Sequence, residues 1–266
     1  MGGKKTSREL AVDVDAILRG LLRGELTIEQ ARRRLAALNV RRIRDLARLD
    51  VGRAHRVGVP EAVLAEGKDP KTVAEAVAAL ARASGYALVT RASEAHLKAV
   101  KAKLRGNFKL EHNPRAKTLL VKKKGHVFPK GGKIGVLAAG TADVPVAEEA
   151  AVAAEVMGCK VLKAYDVGVA GIHRLFGPLE RMLKDRVSAL VVVAGMEGTL
   201  PSLVSSLTDV PVVGVPTSVG YGVGVKGIGA LITMLQSCSP KIAVCNIDNG
   251  YGAGVFAALV ARQKTR

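Results

Sequence analysis

Tryptophan is absent from the 266 residues, and phenylalanine and tyrosine contribute only four each. So few rings argue against a stacking platform for single-stranded nucleic acid, which needs aromatic faces along a basic groove. Cysteine occurs three times, at 159, 238 and 245, without a CxxC or paired His/Cys spacing. An odd, sparse set of thiols argues against a disulfide framework and a structural zinc, and points to a reducing cytoplasm. No apolar run approaches the ~18 residues of a membrane-spanning helix. The opening MGGKKTSREL lacks the apolar centre of a secretory leader. Phosphate motifs are missing as well. No GxGxxG follows the first strand-like run after Lys133, and GYGVGVKGIG around Lys226 lacks the GK[ST] ending of a Walker loop.

Basic residues exceed acidic ones strongly in one half only. Residues 1–133 hold 30 Lys+Arg against 13 Asp+Glu, whereas 134–266 hold 11 against 10. Composition and pattern together suggest three parts: a basic, mainly helical α+β domain over 1–97, a basic connection over 98–132, and an α/β domain over 133–266. In the first part, residues 7–48 read as helices, with Thr27 and Gln30 spaced as a capping box. A further helix is expected in DPKTVAEAVAALARAS, followed by a strand in YALVTRA. From Lys98 to Lys133 there are 12 Lys+Arg and one acid, Glu111. Such a strip suits a solvated connection, or an acidic ligand.

From Lys133 onward apolar runs alternate with helical ones. KIGVLAAG, CKVLKAYDVG, SALVVVAG, PVVGVPTS and KIAVCNID read as strands apolar throughout, with helices between them. That pattern implies a parallel sheet buried on both faces, a doubly wound α/β domain. Ligands bind beyond the carboxyl ends of such strands. Those ends carry Gly140-Thr141-Ala142-Asp143, Asp166-Val167-Gly168, Gly195-Met196-Glu197-Gly198, Pro216-Thr217-Ser218 and Asn246-Ile247-Asp248-Asn249-Gly250.

Taken in order, LAAGTADVPVAEEA, YDVGVAGIHRL, AGMEGTLPSLV, VGVPTSVGYG, LITMLQSCSP and NIDNGYGAG resemble the LarB family of nickel-pincer cofactor biosynthesis. LDVGRAHRVGVPEAVLAEGK and LVTRAS resemble that family's N-terminal region. More distantly, the second half is similar to the PurE carboxylases of purine synthesis, through GIHR and the closing glycines. In PurE a histidine before Leu-Pro handles the proton, and Thr199 stands there in this chain. A threonine hydroxyl is no acid or base near neutral pH.

The resemblance implies an activity and a site. LarB proteins carboxylate the pyridinium ring of nicotinic acid adenine dinucleotide at C5 and split its phosphoanhydride, giving pyridinium-3,5-biscarboxylic acid mononucleotide and AMP. By motif match the nucleophilic thiol falls on Cys238 and the base on Glu197. Gly140, Thr141, Ala142, Asp143, His173, Arg174 and Asn249 become substrate contacts. Arg53, Arg56, Lys68 and Arg91 are candidates to neutralise pyrophosphate or carboxylate groups. Carbon dioxide enters as co-substrate, no resident cofactor is expected, and assistance by Mg2+ in the hydrolysis is left open. Cys238 ends a helix and Glu197 follows a strand, so the two belong to opposite edges of the sheet. A homo-oligomer with sites shared between subunits is therefore expected, and the resemblance to PurE implies an octamer, with neither membrane nor nucleic acid as partner. A purine ribonucleotide carboxylase or mutase, and a non-enzymatic basic nucleotide- or RNA-binding protein, stay as alternatives.

Overall fold

The computed structural model describes residues 14–36, 40–43 and 47–263. The N-terminal part opens with α1 (Val14–Leu22) and α2 (Ile28–Leu35). The capping box forms as the sequence suggests: Gln30 donates its N–H to Thr27 Oγ1 (3.2 Å), and Gln30 Oε1 accepts the Thr27 N–H (2.8 Å). Past α2 the 7–48 helical reading fails where the chain is described, at 40–43 and 47–48, while 37–39 and 44–46 lie outside the described residues. Residues 7–13 lie outside the described residues, and β1 (Val40–Ile43) pairs antiparallel with β2 (Ala47–Asp50). Four-residue strands rich in arginine carry too short an alternation to be told from helix.

After α3 (Arg53–Val57) come β3 (Ala62–Leu64), α4 (Pro70–Ser84), β4 (Tyr86–Thr90) and α5 (Glu94–Lys103), then β5 (Phe108–Asn113) and β6 (Thr118–Lys123). These strands form a sheet in the order β3-β4-β6-β5, parallel between β3 and β4 and otherwise antiparallel. The basic strip is thus not a bare connection. FKLEHN and TLLVKK alternate as a hairpin should, and β6 sends Leu119 and Val121 into the core beneath α4. Lysines on the solvent side of those strands had disguised the period.

α4 is stopped and started by its own sequence. Asp69 accepts the Thr72 N–H at 3.0 Å, Pro70 occupies the first turn, and Gly85 ends the helix with φ +83°. In α5, His96 Nδ1 accepts the Ser93 N–H (3.0 Å), so Nε2 carries the proton and donates to the Lys68 carbonyl (2.9 Å). That bond fixes the turn before α4.

The second half is β7 (Lys133–Ala138), α6 (Val144–Val156), β8 (Lys160–Ala164), α7 (His173–Lys184), β9 (Leu190–Ala194), α8 (Leu200–Leu207), β10 (Val212–Pro216), α9 (Ile228–Leu235), β11 (Ile242–Val244) and α10 (Gly250–Gln263). The sheet is parallel throughout, in the order β11-β10-β9-β7-β8. Val136, Val191, Val193 and Val215 face α6 and α10, while Leu137, Leu190, Val192 and Val212 face α7, α8 and α9. This is the doubly wound α/β domain expected from the apolar strands.

Helices α6 and α10 pack backbone to backbone. A Cβ at Gly250 would run into the Val146 carbonyl, and one at Gly254 into the Ala150 carbonyl. The closing NGYGAG motif is therefore a packing device. With Ala147, Ala150, Ala253 and Ala257 fully buried beside it, the interface has no room for rings.

Candidate functional site

β8 lies on one side of β7 and β9 on the other, so the chain reverses direction across the sheet between β7 and β9. Loops diverge at such a switch point and open a crevice above the carboxyl ends of the strands. Asp143 sits in it, 5 % exposed. Its Oδ1 accepts the Thr217 hydroxyl at 2.6 Å, its Oδ2 accepts the Gly140 N–H at 2.9 Å, and the Gly195 N–H also bonds to it. One carboxylate thus ties together the loops after β7, β9 and β10. Burial pushes its pKa up, opposed by these bonds and reinforced by the nearby Asp248 charge.

The crevice continues into a cleft of about 780 Å³ between the two domains. One wall is Ala142, Pro145, Val146, Glu149, Ser218, Val219 and Asp248; the other is the turn after β3, the start of α5, Arg91 and the β5–β6 turn from Pro114 to Lys117. Arg91 (φ +51°) bridges the walls, donating to Glu66 Oε2 at 2.8 Å and to the Asp248 carbonyl at 3.0 Å. Its pKa is raised, first by the Glu66 hydrogen bond, against desolvation. Glu149 lies behind it, buried, accepting the Tyr251 N–H at 3.1 Å and bonded also by the Gly250 N–H. Burial raises the Glu149 pKa despite those bonds and the Arg91 charge.

A buried network holds the hairpin over the cleft. Glu148 accepts hydrogen bonds from Tyr165 (2.8 Å), Asn113 (2.8 Å) and Lys163 (3.3 Å), and Asn113 Oδ1 accepts the Ala116 N–H (3.1 Å). Desolvation alone would raise the Glu148 pKa; the Tyr165 and Asn113 bonds and the Lys163 charge outweigh it and hold it below the usual carboxylate range. The Tyr165 phenol is pushed up by burial and by its bond to Glu148. Replacing Tyr165 with phenylalanine is expected to cost about 1–3 kcal/mol, since a bond to a charged, mostly buried acceptor is lost. Urea unfolding measures it, and a loss below the error of that measurement would remove the network's structural role.

Of the residues singled out from sequence, Arg91 and Ala142 line the cleft and Asp143 lies beneath it. Gly140 and the exposed Thr141 lead into Asp143. His173 and Arg174 begin α7, both exposed, and Arg174 is ion-paired with Asp166 at the end of β8. Asn249 caps α10, its Oδ1 accepting the Gly252 N–H at 2.8 Å. Arg53 pairs with Glu61 at 3.3 Å and Arg56 with Asp50, both around α3 and away from the cleft lining. Lys68 is exposed next to that lining.

Glu197 is exposed in the turn after β9, where Met196 has φ +50°. The Met196 N–H donates to the Val219 carbonyl at 3.1 Å, so this turn abuts the cleft wall. Cys238 is exposed between α9 and β11. Its neighbours Ser237 and Ser239 hydrogen-bond to Ser202 and Ser206 on α8. Neither Cys238 nor Glu197 lines the cleft.

Sequence reading placed Asp248 at a ligand-facing strand end but missed Glu149, Arg115 and Lys117 as individual positions. Glu149 alone left a signal: it is the second acid of a pair inside VPVAEEAAVAAEV, a helix that is otherwise almost all apolar and so must be buried. Among the described residues no group of three or more His, Cys, Asp or Glu side chains is gathered to hold a metal ion, and no helix is long and apolar enough to cross a membrane.

Asp143 gives a pH prediction. Its folded pKa lies above the unfolded value, so the folded state binds the extra proton and stability is lost as pH rises through the folded pKa. Asparagine removes that dependence. The stability deficit of Asp143→Asn relative to wild type is expected to widen as pH falls from above the folded pKa toward about 4, the unfolded value. Thermal unfolding across that range checks the sign; a deficit that narrows contradicts it.

Comparison with known sequences agrees with this layout. Residues 41–124 match the LarB/PurE-like N-terminal domain, and residues 133–266 match the AIR carboxylase domain. An uncharacterized protein of Methanocaldococcus jannaschii is 44 % identical over 243 residues, covering 90 % of this chain and 93 % of the relative. The N5-carboxyaminoimidazole ribonucleotide mutase of Thermotoga maritima is 26 % identical over 133 residues, 48 % of this chain and 74 % of that enzyme. The corresponding mutase of M. jannaschii is 28 % identical over 126 residues, 47 % and 75 %. Fold and crevice therefore define a protein of the PurE-like, carboxylase-related class. With its N-terminal domain included, the chain belongs to the LarB family.

Proposed function

We propose that this protein carboxylates the pyridinium ring of nicotinic acid adenine dinucleotide at C5 and hydrolyses the phosphoanhydride, releasing pyridinium-3,5-biscarboxylic acid mononucleotide and AMP. The observation that carries the reading is a LarB-type N-terminal domain joined to a PurE-like domain that has Thr199 in place of the PurE histidine. A pyridinium is too electron-poor to attack carbon dioxide. Addition of the Cys238 thiolate at C6 places an electron pair in the ring as an enamine, and C5 becomes the nucleophile. C5 then bonds to the carbon of carbon dioxide, one C=O π pair moving onto oxygen as carboxylate. Glu197 takes the C5 proton, and the C–S bond breaks to return the thiolate and restore aromaticity. Water supplies the oxygen that splits the phosphoanhydride.

Cys238 fits the nucleophile's part because it is exposed, while Cys159 is buried with its Sγ donating to the Gly131 carbonyl (3.1 Å) and Cys245 is half-buried. Burial pushes both of those thiols up, away from thiolate. Arg91 meets the anionic groups of the dinucleotide. A reducing cytoplasm suits a reaction that depends on a free thiol.

Assembly completes the site in this reading. α9 and the loop before it expose Tyr221, Val223, Val225, Ile228, Ile232 and Leu235, an apolar face of the kind that packs against another subunit. That face and the separate placement of the two residues support an oligomer, a homo-octamer by likeness to PurE, whose neighbouring chains contribute Cys238 and Glu197 to one site. Incubation with nicotinic acid adenine dinucleotide and bicarbonate, followed by mass spectrometry, tests the function. A ring-bearing product heavier by one carboxyl group, together with AMP, is expected; neither product appearing defeats the proposal. Aminoimidazole ribonucleotide in the same assay should return unchanged.

A further inference from the structure

The interdomain cleft has a charge pattern that the ring chemistry leaves unused. We propose that it is the seat of the adenylate half of the substrate, with the phosphate held by Arg115 and Lys117 of the β5–β6 turn together with Arg91. This assignment deepens the proposed function and takes the dinucleotide from it.

Cations are available there. Among the described residues no hydrogen bond or ion pair engages the Arg115 guanidinium or the Lys117 ammonium, and both side chains are exposed at the cleft. Placing two unpaired cations on one short turn costs self-repulsion, which an arriving phosphate relieves. The turn is held in place: Asn113 anchors it to Glu148, and the Lys117 carbonyl accepts the Ala92 N–H at 2.7 Å. Arg91 is held by Glu66, an exposed carboxylate whose grip is weak enough for a phosphate to replace.

Of the four acids that line the cleft, Glu66 holds Arg91, Glu94 stands exposed in the first turn of α5, and the other two are committed elsewhere. Glu149 accepts backbone N–H groups from α10, and Asp248 Oδ1 accepts the Ser218 N–H at 2.8 Å. Between the charged groups lie Pro145, Val146 and Val219, an apolar strip suited to a flat neutral purine. The nicotinate ring is a zwitterion whose ring cation and carboxylate both need polar partners, so the apolar strip favours the neutral purine as its occupant. Room is adequate, since about 780 Å³ lies within the range of nucleotide pockets. Location agrees as well. The cleft wall at Val219 touches the Met196–Glu197 turn through a backbone hydrogen bond, so a dinucleotide seated here extends its other end toward Glu197.

Calorimetric titration of AMP and of nicotinic acid mononucleotide into wild type, Arg115→Ala/Lys117→Ala and Glu66→Gln tests the assignment. The double variant should bind AMP roughly tenfold or more weakly, with nicotinic acid mononucleotide changed less than about twofold. Glu66→Gln should bind AMP about two- to threefold more tightly, because Arg91 is freed. No AMP binding by wild type, unchanged AMP affinity in the double variant, or equal weakening of both nucleotides overturns the proposal. Product assays run alongside separate its fate from that of the carboxylase reading. Product with an unchanged KM in the double variant sinks the adenylate seat alone. AMP binding that depends on Arg115 and Lys117, in a protein that makes no product, sinks the carboxylase reading alone.

Discussion

Replacing Cys238 with alanine is expected to lower carboxylated product by roughly a thousandfold or more, as loss of a covalent nucleophile does. Cys245→Ala should retain activity within a few-fold. The contrast rests on environment. Cys245 follows β11, gives its N–H to the Gly214 carbonyl at 2.9 Å and packs against the core under α6 and α10. Its thiol is raised by burial and works as a small apolar group. Cys238 has neither burial nor a core to fill, so its removal should leave the unfolding midpoint nearly unchanged while activity disappears. Mass spectrometry of product and a denaturant titration on the same samples separate these effects. Equal losses in the two variants, or loss confined to Cys245→Ala, would remove Cys238 from the reaction.

How much was legible beforehand differed between the halves. The five parallel strands could be read because burial on both faces makes them apolar from end to end, as in LVVVA of β9. Asp143 could be placed near a ligand because it follows such a strand. Its partners Thr217 and Gly195 belong to other strand ends, and no local pattern joins residues 74 positions apart. The Arg91–Asp248 bond spans 157 positions, and the cleft it crosses is a product of domain docking. Arg115 and Lys117 were hidden among twelve basic residues; only the hairpin separates two cations aimed at a cleft from the others on strand surfaces. The choice of Cys238 over Cys245 came from resemblance, and exposure supports it on independent physical grounds.

Arg53 and Arg56 are instructive in the opposite sense. The family resemblance made them candidates for anion binding, yet each faces a carboxylate close in sequence, Glu61 and Asp50. A charge run often answers itself locally, and sequence does not reveal which cations are left over. Among the described residues, Arg115 and Lys117 of the hairpin are two cations left over at the cleft.

Mixing two inactive variants is expected to restore activity. If Cys238 of one chain completes a site with Glu197 of another, Cys238→Ala and Glu197→Gln subunits co-assembled in equal amounts form some sites with both wild-type groups. With random mixing, half of the chains keep the thiol and half keep the carboxylate, so about a quarter of sites are whole. Product formation should rise from near the floor of either parent to roughly a quarter of wild type, the gain scaling with the intact sites formed. The single chain gives the reason to expect this: Cys238 rides beside α8 through Ser237 and Ser239, Glu197 lies in the turn at the carboxyl edge, and the interdomain cleft contains neither. Co-expression with two affinity tags supplies the mixed assembly, and Ile232→Glu, which places a charge on the apolar face of α9, should abolish the recovery by preventing assembly. A mixed oligomer that stays as inactive as its parents would locate both groups in one chain and end the shared-site assignment.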